Sequence, residues 1–465
     1  MNKFSLYSRI INKKTMTLFF VVVFSSSFGY AKEAAKPQTK LQPKDWNFIV
    51  YIAGNNDLHR FSIHNLKQML KVGSTDSLNI IVQFDEYLKR EVTRYYVEKE
   101  HLVVADSQSD SIAATSGTPE SLYDFASWAI ESYPAQNQAL VLWNHGYGIK
   151  DPSIWGRTKM LERDKLFTIN YQTGLLELNR KNFFEDEEMT KRFFRERGIA
   201  FNDTAQEYLT NQDLTNALEK ISNNLLDGNK IDILFMDACH MGMLEIGSQI
   251  KDFVHYMVAS EEVEPGTGYN YIYLLEPFLD GSLSAEDFAK QGVLGYEEEY
   301  NLENADYTQS AINLYNFEKV EINVKEMGTT LTELLADSDS NMFFMLRKIR
   351  SRSTYTTSFC DPEYIDFCHF YISLVEIVEQ QLLSNSYSSE IAKKLKQVKA
   401  LAEQGLNMMQ NYIIKNASGI NLPHAYGLAF YFPTKKVHSS YYKTNFDKIT
   451  KWSTFLEKYI YMLRH

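Results

Sequence analysis

The sequence has few cysteines and no excess of basic residues, and each shortage excludes a class of protein. Only three cysteines occur among 465 residues, too few for a disulfide scaffold. The formal net charge of -11 argues against a nucleic-acid partner and is compatible with attraction to basic peptides. The EF-hand, HExxH and CxxC patterns are all missing, so no metal ligands are assigned.

Long apolar runs are missing as well. The apolar stretch near the N-terminus, residues 17–24, is too short for a stable membrane span. Basic residues precede it and the small-x-small sequence GYA follows it, which is the pattern of an export signal. Residues 1–31 are therefore predicted to be a signal peptide whose removal leaves no membrane anchor, and residues 32–44 a polar linker. The protein is expected to be exported, to a periplasm or to the extracellular medium.

The sequence does contain two short apolar runs that each end beside a reactive side chain. Residues 139–143 lead into the letters NHG, which include His145, and residues 231–236 lead into DAC, which ends at Cys239. Nearly continuous apolar runs of this length are typical of strands buried on both faces of a parallel sheet. Because open α/β sheets bind ligands at the carboxyl ends of their strands, His145 and Cys239 are expected at the same rim.

This pair of side chains indicates nucleophilic catalysis. Cysteine is a good nucleophile only as the thiolate, so the chemistry needs a nearby imidazole that accepts its proton. Gly146 has no Cβ, and its backbone N–H, together with that of Cys239, could form an oxyanion hole. Cys360 and Cys368 either pair with each other or are both reduced. Neither is a candidate nucleophile, because no strand-end glycine turn accompanies them.

Strands and helices alternate over the first half of the chain, which implies an α/β fold with a mostly parallel sheet flanked by helices. Residues 45–284 are predicted to form the catalytic domain, with a charged insertion at residues 150–196. Residues 285–465 are predicted to form a largely helical C-terminal portion. That portion is expected to return a strand near residues 426–432 to the sheet.

Motifs along most of the mature chain resemble the clostripain family of cysteine peptidases, which is related in fold to caspases, legumains and gingipains. The resemblance is carried by segments that keep the family's order: residues 46–58 (WNFIVYIAGNNDL), 79–85 (NIIVQFD), 117–123 (GTPESLY), 144–146 (NHG), 198–204 (GIAFNDT), 237–242 (DACHMG), 259–269 (ASEEVEPGTGY) and 425–433 (AYGLAFYFP). It implies a caspase-like fold and a cysteine endopeptidase that hydrolyses proteins or peptides through a dyad of His145 and Cys239. No cofactor is required for this chemistry.

The resemblance also implies that Asp237 helps to form an acidic pocket for an Arg or Lys side chain before the scissile bond, since carboxylates recognise such cations. The alternative is that Asp237 caps a helix or turn. The sequence departs from the family pattern at Thr267, where members often carry an acidic residue. Glu262 and Glu264 are the candidate substitutes, and acidic residues of this stretch could instead bind structural calcium at an irregular site.

The resemblance further implies that the precursor is cut between the two catalytic motifs, often by the enzyme itself after a basic residue. The insertion at residues 150–196 is a suitable place, because exposed polar loops are readily nicked. A monomer of two associated chains would result; the alternative is a solvated helical insertion that is never cut.

Two other functions remain open. A thiol amidase or transpeptidase would use the same dyad but prefer non-basic substrates, and a secreted binding protein would keep the scaffold without catalysis. The presence of both His145 and Cys239 counts against the binding protein.

Overall fold

The computed structural model describes residues 42–87, 92–108, 115–151, 167–169, 176–178, 199–202, 204–205, 207–301, 306–351, 353–384 and 386–465. Gln42–His465 form one compact unit. The predicted signal peptide, most of the predicted linker and nearly all of the insertion at residues 150–196, with its expected processing site, lie outside the described residues. No helix in the described ranges is long and apolar enough to cross a membrane.

The described strands are, in chain order, β1 (Lys44–Ile52), β2 (Leu78–Asp85), β3 (Val92–Glu98), β4 (His101–Gln108), β5 (Ala135–Trp143), β6 (Phe167–Ile169), β7 (Leu176–Leu178), β8 (Ile199–Asn202), β9 (Glu207–Leu209), β10 (Ile231–Asp237), β11 (Val254–Ala259), β12 (Thr308–Asn313), β13 (Tyr364–Asp366), β14 (Ile413–Ser418) and β15 (Ala429–Tyr431). Nine of them form one sheet in the order β14-β12-β11-β10-β5-β1-β2-β3-β4. The five central strands, from β11 to β2, are parallel, and the two at each edge are antiparallel. The predicted α/β fold with a mostly parallel sheet is confirmed.

Helices cover both faces of this sheet. They are α1 (His59–Val72), α2 (Pro119–Ser132), α3 (Asn211–Leu225), α4 (Leu244–Ile250), α5 (Tyr271–Leu275), α6 (Ala285–Tyr300), α7 (Glu318–Leu335), α8 (Met342–Arg350), α9 (Phe367–Ser384), α10 (Ser389–Tyr412), α11 (Asn445–Thr450) and α12 (Trp452–Arg464). Alternate residues of the central strands enter two different cores, because successive side chains point to opposite faces. Phe48 and Val50 pack with α1, α5 and α6, whereas Ile49 and Tyr51 pack towards α2, α3 and the C-terminal helices.

The C-terminal portion joins the sheet at a different place from the predicted one. The prediction that residues 426–432 return to the main sheet is wrong, because β15 pairs with β13 in a separate two-stranded sheet. The strand that joins the main sheet is β14, which pairs with β12. β15 is apolar since it is buried among the rings of α9 and α12, and β14 is more polar since it is a half-exposed edge strand.

Truncation of Phe288 tests the packing of the α6 face. Its ring packs against four other buried rings, those of Trp46, Phe48, Phe235 and Phe278. We expect Phe288→Ala to lower the free energy of unfolding by about 3–5 kcal/mol, because a large cavity is left. Phe344, which is 65% exposed, is the matched control, and Phe344→Ala should change stability by less than about 0.5 kcal/mol. If urea denaturation shows that both variants lose the same free energy of unfolding, the packing described for Phe288 is contradicted.

Candidate active site

Two neighbouring parallel strands bring two loops together. The histidine loop follows β5 and carries His145, and the cysteine loop follows β10 and carries Cys239. In the register of β5 and β10, Asp237 lies opposite Trp143, and the next backbone N–H, that of Asn144, donates to the carbonyl of Asp237 at 3.1 Å. His145 and Cys239 follow within two residues of this pair. Both line one pocket at the carboxyl end of the sheet.

The pocket combines a thiol, an imidazole and two carboxylates. It is lined by Leu58, Trp143, Asn144, His145, Asp237, Ala238, Cys239, Glu264, Pro265, Gly266 and Gly268. The cavity volume is about 30 Å³, which is room for only a few water molecules.

Asn144 and Asp57 hold the histidine in place. The amide of Asn144 donates to the carbonyls of Ala53 and Phe201, and its Oδ1 accepts the N–H groups of Phe201 and His145. His145 is buried, and its Nε2 lies 2.8 Å from Asp57 Oδ1. The ring is therefore fixed by the segments that follow β1 and β5.

Gly146 packs directly on the backbone of the cysteine loop. A Cβ at this position would lie 2.3 Å from the carbonyl oxygen of Cys239 and 3.0 Å from its nitrogen, so a larger residue would push the two loops apart. His240 has a φ of 58°, which turns the chain sharply after the cysteine. Its Nδ1 lies 2.8 Å from the carbonyl oxygen of Glu261, and its ring is not part of the pocket wall.

The thiol of Cys239 is buried and uncharged in this arrangement. Burial raises its pKa to about 12, with a further contribution from the negative charge of Glu264. The backbone N–H groups of Glu264, at 3.4 Å from Sγ, and of Gly146 act in the opposite direction. The thiolate therefore needs a proton acceptor or a change in this pocket before it forms near neutral pH.

Asp237 and Glu264 form a buried pair of carboxyl groups. Asp237 Oδ2 accepts the hydroxyl of Tyr271 at 2.8 Å, and Glu264 Oε1 accepts the side-chain amide of Gln309 at 3.2 Å. Burial raises the pKa of Asp237 to about 6, and burial together with the charge of Asp237 raises the pKa of Glu264. A hydrogen bond also joins the two carboxyl groups to each other. The pair is suited to receive a cation.

Two further glutamates of the same loop bind the C-terminal portion. Both carboxylate oxygens of Glu262 accept the backbone N–H of Cys360, at 2.9 and 3.1 Å. Glu261 accepts the N–H of Gly427 at 3.0 Å and faces Asp366. Burial raises the pKa of Asp366 to about 7 and also that of Glu261, so this pair retains a proton near neutral pH.

The histidine loop is tied to the same C-terminal segment. The buried ammonium of Lys150 contacts the carboxylates of Asp361 and, at 2.7 Å, Glu363. The hydroxyl of Tyr364 donates to the carbonyl of Tyr147 at 2.8 Å. Residues 360–366 therefore contact both the loop after β5 and the loop after β11.

Comparison of the sequence with known families gives a single family over most of its length. The profile of the clostripain family matches residues 50–169 and 183–459. The chain belongs to the clostripain family of cysteine proteases. Clostripain itself, from Hathewaya histolytica, is 23% identical over 519 residues, which cover 96% of this chain and 88% of that protein.

Solved structures of clostripain-like proteases share the fold. The secreted C11 cysteine protease iotapain from Bacteroides thetaiotaomicron superposes with a TM-score of 0.55 at 12% identity, over 88% of this chain and 100% of that one. A secreted C11 cysteine protease of the same organism, bound to an irreversible peptide inhibitor, superposes with a TM-score of 0.53 at 17% identity. The match covers 89% of this chain and 99% of that one. An inactive zymogen C11 protease from Parabacteroides distasonis superposes with a TM-score of 0.50 at 15% identity, over 88% of this chain and 99% of that one. The expected caspase-like fold is confirmed.

The four residues selected from the sequence, His145, Gly146, Asp237 and Cys239, lie together around the pocket. Of the two candidate substitutes for an acidic residue in the 265–268 turn, Glu264 lines the pocket and Glu262 does not. Thr267 contacts the hydroxyl of Tyr300 at 2.6 Å and is not part of the lining.

Sequence reasoning missed Asp57. The available signal was its position in the NNDL turn that follows β1, because the end of β1 lies next to the end of β5 in the sheet. The strand order needed to use that signal was not apparent from the sequence.

The structure shows the state of the three cysteines. Cys239, Cys360 and Cys368 all carry thiols, and no disulfide joins the latter two. The acidic side chains of the loop after β11 accept backbone and amide hydrogens, as described above. No group of three or more His, Cys, Asp or Glu in the described ranges is arranged to hold a metal ion, and a structural calcium ion stays a prediction from the sequence.

Substitution of Glu264 tests whether burial of the Asp237–Glu264 carboxyl pair destabilises the folded protein. Because burial raises the pKa of both groups in the folded protein, the folded chain binds more protons than the unfolded chain, and stability falls as the pH rises above the ordinary carboxyl range near 4. We expect Glu264→Gln to stabilise the protein at pH 8 by about 1–3 kcal/mol, and the gain should shrink as the pH falls to 4. Its amide can also donate to Asp237.

Thermal unfolding between pH 4 and 8 measures this effect. The exposed Glu276 is the matched position, and Glu276→Gln should show no such pH-dependent gain. A Glu264→Gln protein that is destabilised equally at every pH would show that the carboxylate is a structural hydrogen-bond acceptor.

Proposed function

We propose that this chain is the precursor of an exported cysteine endopeptidase that cleaves after basic residues, with Cys239 as the nucleophile and His145 as the general base and acid. The observation that carries the proposal is the shared pocket, in which the thiol and imidazole lie beside two buried carboxyl groups. Family membership supports the chemistry, and the buried acid pair supports the specificity.

In the proposed reaction, His145 accepts the proton of Cys239 as Sγ attacks the substrate carbonyl carbon. The backbone N–H groups of Gly146 and Cys239 stabilise the oxyanion. The tetrahedral intermediate then collapses to a thioester, and the imidazolium gives its proton to the leaving amine. Water, deprotonated by His145, hydrolyses the thioester and restores the thiol. No metal or cofactor takes part in these steps.

Asp237 and Glu264 are proposed to bind the side chain that precedes the scissile bond. Neither carboxyl group forms an ion pair with a basic side chain of the described residues, and both line the pocket beside the thiol. A guanidinium has five donors in a planar fork and can contact two carboxylates at once, whereas an ammonium is a compact charge. Arg is therefore expected to be preferred over Lys.

The small size of the pocket supports a precursor state. Its cavity volume is about 30 Å³, which leaves little room for an arginine side chain, and residues 264–268 are proposed to move when substrate binds. A cut within residues 150–196 is proposed to permit this movement and to give two associated chains. Both would stay in one sheet, since β5 precedes the cut and pairs with β10 after it.

Cleavage of matched peptides tests specificity. We expect kcat/KM to be highest for Arg, lower for Lys and at least about 10³-fold lower for citrulline, which has nearly the shape of arginine without its charge. Asp237→Asn and Glu264→Gln should each reduce the preference for Arg over citrulline by about 10–100-fold. Cys239→Ala, checked for folding by thermal denaturation, should be inert. Efficient cleavage of the citrulline peptide would favour the amidase or transpeptidase function.

Processing is tested with purified full-length protein on denaturing gels. Wild type should convert to two fragments that elute together at the monomer size, while Cys239→Ala stays intact alone and is cut when wild type is added. Fragment masses should place the cut after a basic residue between 150 and 196. A wild-type protein that stays intact and inert, even after a trace of trypsin, would favour the binding-protein function.

A further inference from the structure

Asp57 lies at the point where the order of the parallel strands reverses. Strand β2 lies on one side of β1, and β5 lies on the other. In open α/β sheets, the crevice at such a reversal is where ligands bind. The turn after β1 enters this crevice and places the Asp57 carboxylate beside the ring of His145.

The contact is short and shielded from solvent. Asp57 Oδ1 lies 2.8 Å from His145 Nε2, and the two side chains are only 9% and 5% exposed. A buried carboxylate that accepts a hydrogen bond from an imidazole fixes both its orientation and its tautomer. Proton exchange with the thiol would then use Nδ1.

The turn that carries Asp57 is itself held firmly. Asn56 donates through Nδ2 to the carbonyls of Ala53 and Phe201, both at 2.9 Å. Its Oδ1 accepts the backbone N–H of Leu58, also at 2.9 Å. The residues on both sides of Asp57 are thus fixed by contacts that do not involve His145, so the carboxylate is positioned in advance.

We propose that Asp57 is the positioning residue of the catalytic histidine, so that the site works as a Cys-His-Asp constellation rather than as a dyad. The proposal rests on the proposed function. When His145 takes the proton from Cys239 Sγ, the carboxylate at Nε2 stabilises the positive charge on the ring and does not itself take the proton. That stabilisation ends when the ring passes the proton to the leaving amine.

Other titratable groups of the pocket also contribute to the pH dependence of the reaction, and their contribution must be distinguished from that of Asp57. They are the thiol of Cys239 and the carboxyl groups of Asp237 and Glu264. These groups are the same in wild type and in a variant at Asp57, so the difference between two pH profiles reports on Asp57.

The first test compares wild type with Asp57→Asn, after maturation of both proteins by wild type or by trypsin. The asparagine keeps the size of the side chain and removes its charge. We expect kcat for the Arg peptide to fall by about 10²–10⁴-fold with KM within about threefold. The rate of Cys239 alkylation by chloroacetamide near pH 6–7 should fall by at least about tenfold, because less thiolate forms. The alkaline limb of the kcat/KM profile should move to lower pH.

A second variant guards against a simple loss of structure. Asp57→Ala leaves space beside Nε2, and formate, a small carboxylate, should restore activity in a saturable way, by at least about tenfold. Asp76→Asn, an exposed residue at the opposite end of the sheet, is the control and should match wild type. Thermal unfolding of all variants confirms that the compared proteins are folded.

Several outcomes would overturn the proposal. They are a kcat of Asp57→Asn within about threefold of wild type, a rise in KM alone, or unchanged alkylation with no rescue of Asp57→Ala by formate. If wild type does not cleave peptides, the proposed function fails instead. The alkylation profiles of wild type and Asp57→Asn would then still decide whether Asp57 controls the His145–Cys239 pair.

Discussion

The parallel pairing of β5 with β10 is the constraint on which the site depends. Ninety or so residues separate the two strands in sequence, yet the pairing sets Trp143 opposite Asp237 and brings the two following loops into contact. Both strands are buried on both faces, so the register is fixed by packing on two sides. A long insertion between them can therefore be tolerated, and even cut, without moving the carboxyl ends of the strands relative to each other.

The loop after β11 shows how identical side chains acquire different uses. Glu261 and Glu262 are buried against backbone N–H groups of the C-terminal portion, whereas Glu264 lines the pocket. Burial of a carboxylate is costly unless it is hydrogen-bonded. Two of the three glutamates are thus bound through backbone N–H groups, and the C-terminal portion is part of the architecture that shapes the pocket.

Much of this arrangement could be predicted from the sequence, because continuous apolar runs at residues 139–143 and 231–236 mark buried parallel strands with reactive residues at their ends. Asp57 could not be found in this way, since its relevance depends on β1 lying next to β5. The choice of Glu264 over Glu262 depends on the path of a loop, which has no periodic pattern. The misplaced C-terminal strand has a similar cause: apolar character reports burial, and β15 is buried under helices rather than within the main sheet.

The pocket contains an electrostatic conflict that bears on how such a site could select its substrate. When Glu264 is ionised, its negative charge opposes formation of the Cys239 thiolate, and in the proposed function the same carboxylate binds the cationic side chain of the substrate. In the proposed function, a basic side chain that enters the pocket would compensate this charge and make the thiolate easier to form. A neutral side chain would fill the space without that effect. Discrimination would then act on the chemical step as well as on binding, because the nucleophile and the specificity pocket share one buried charge.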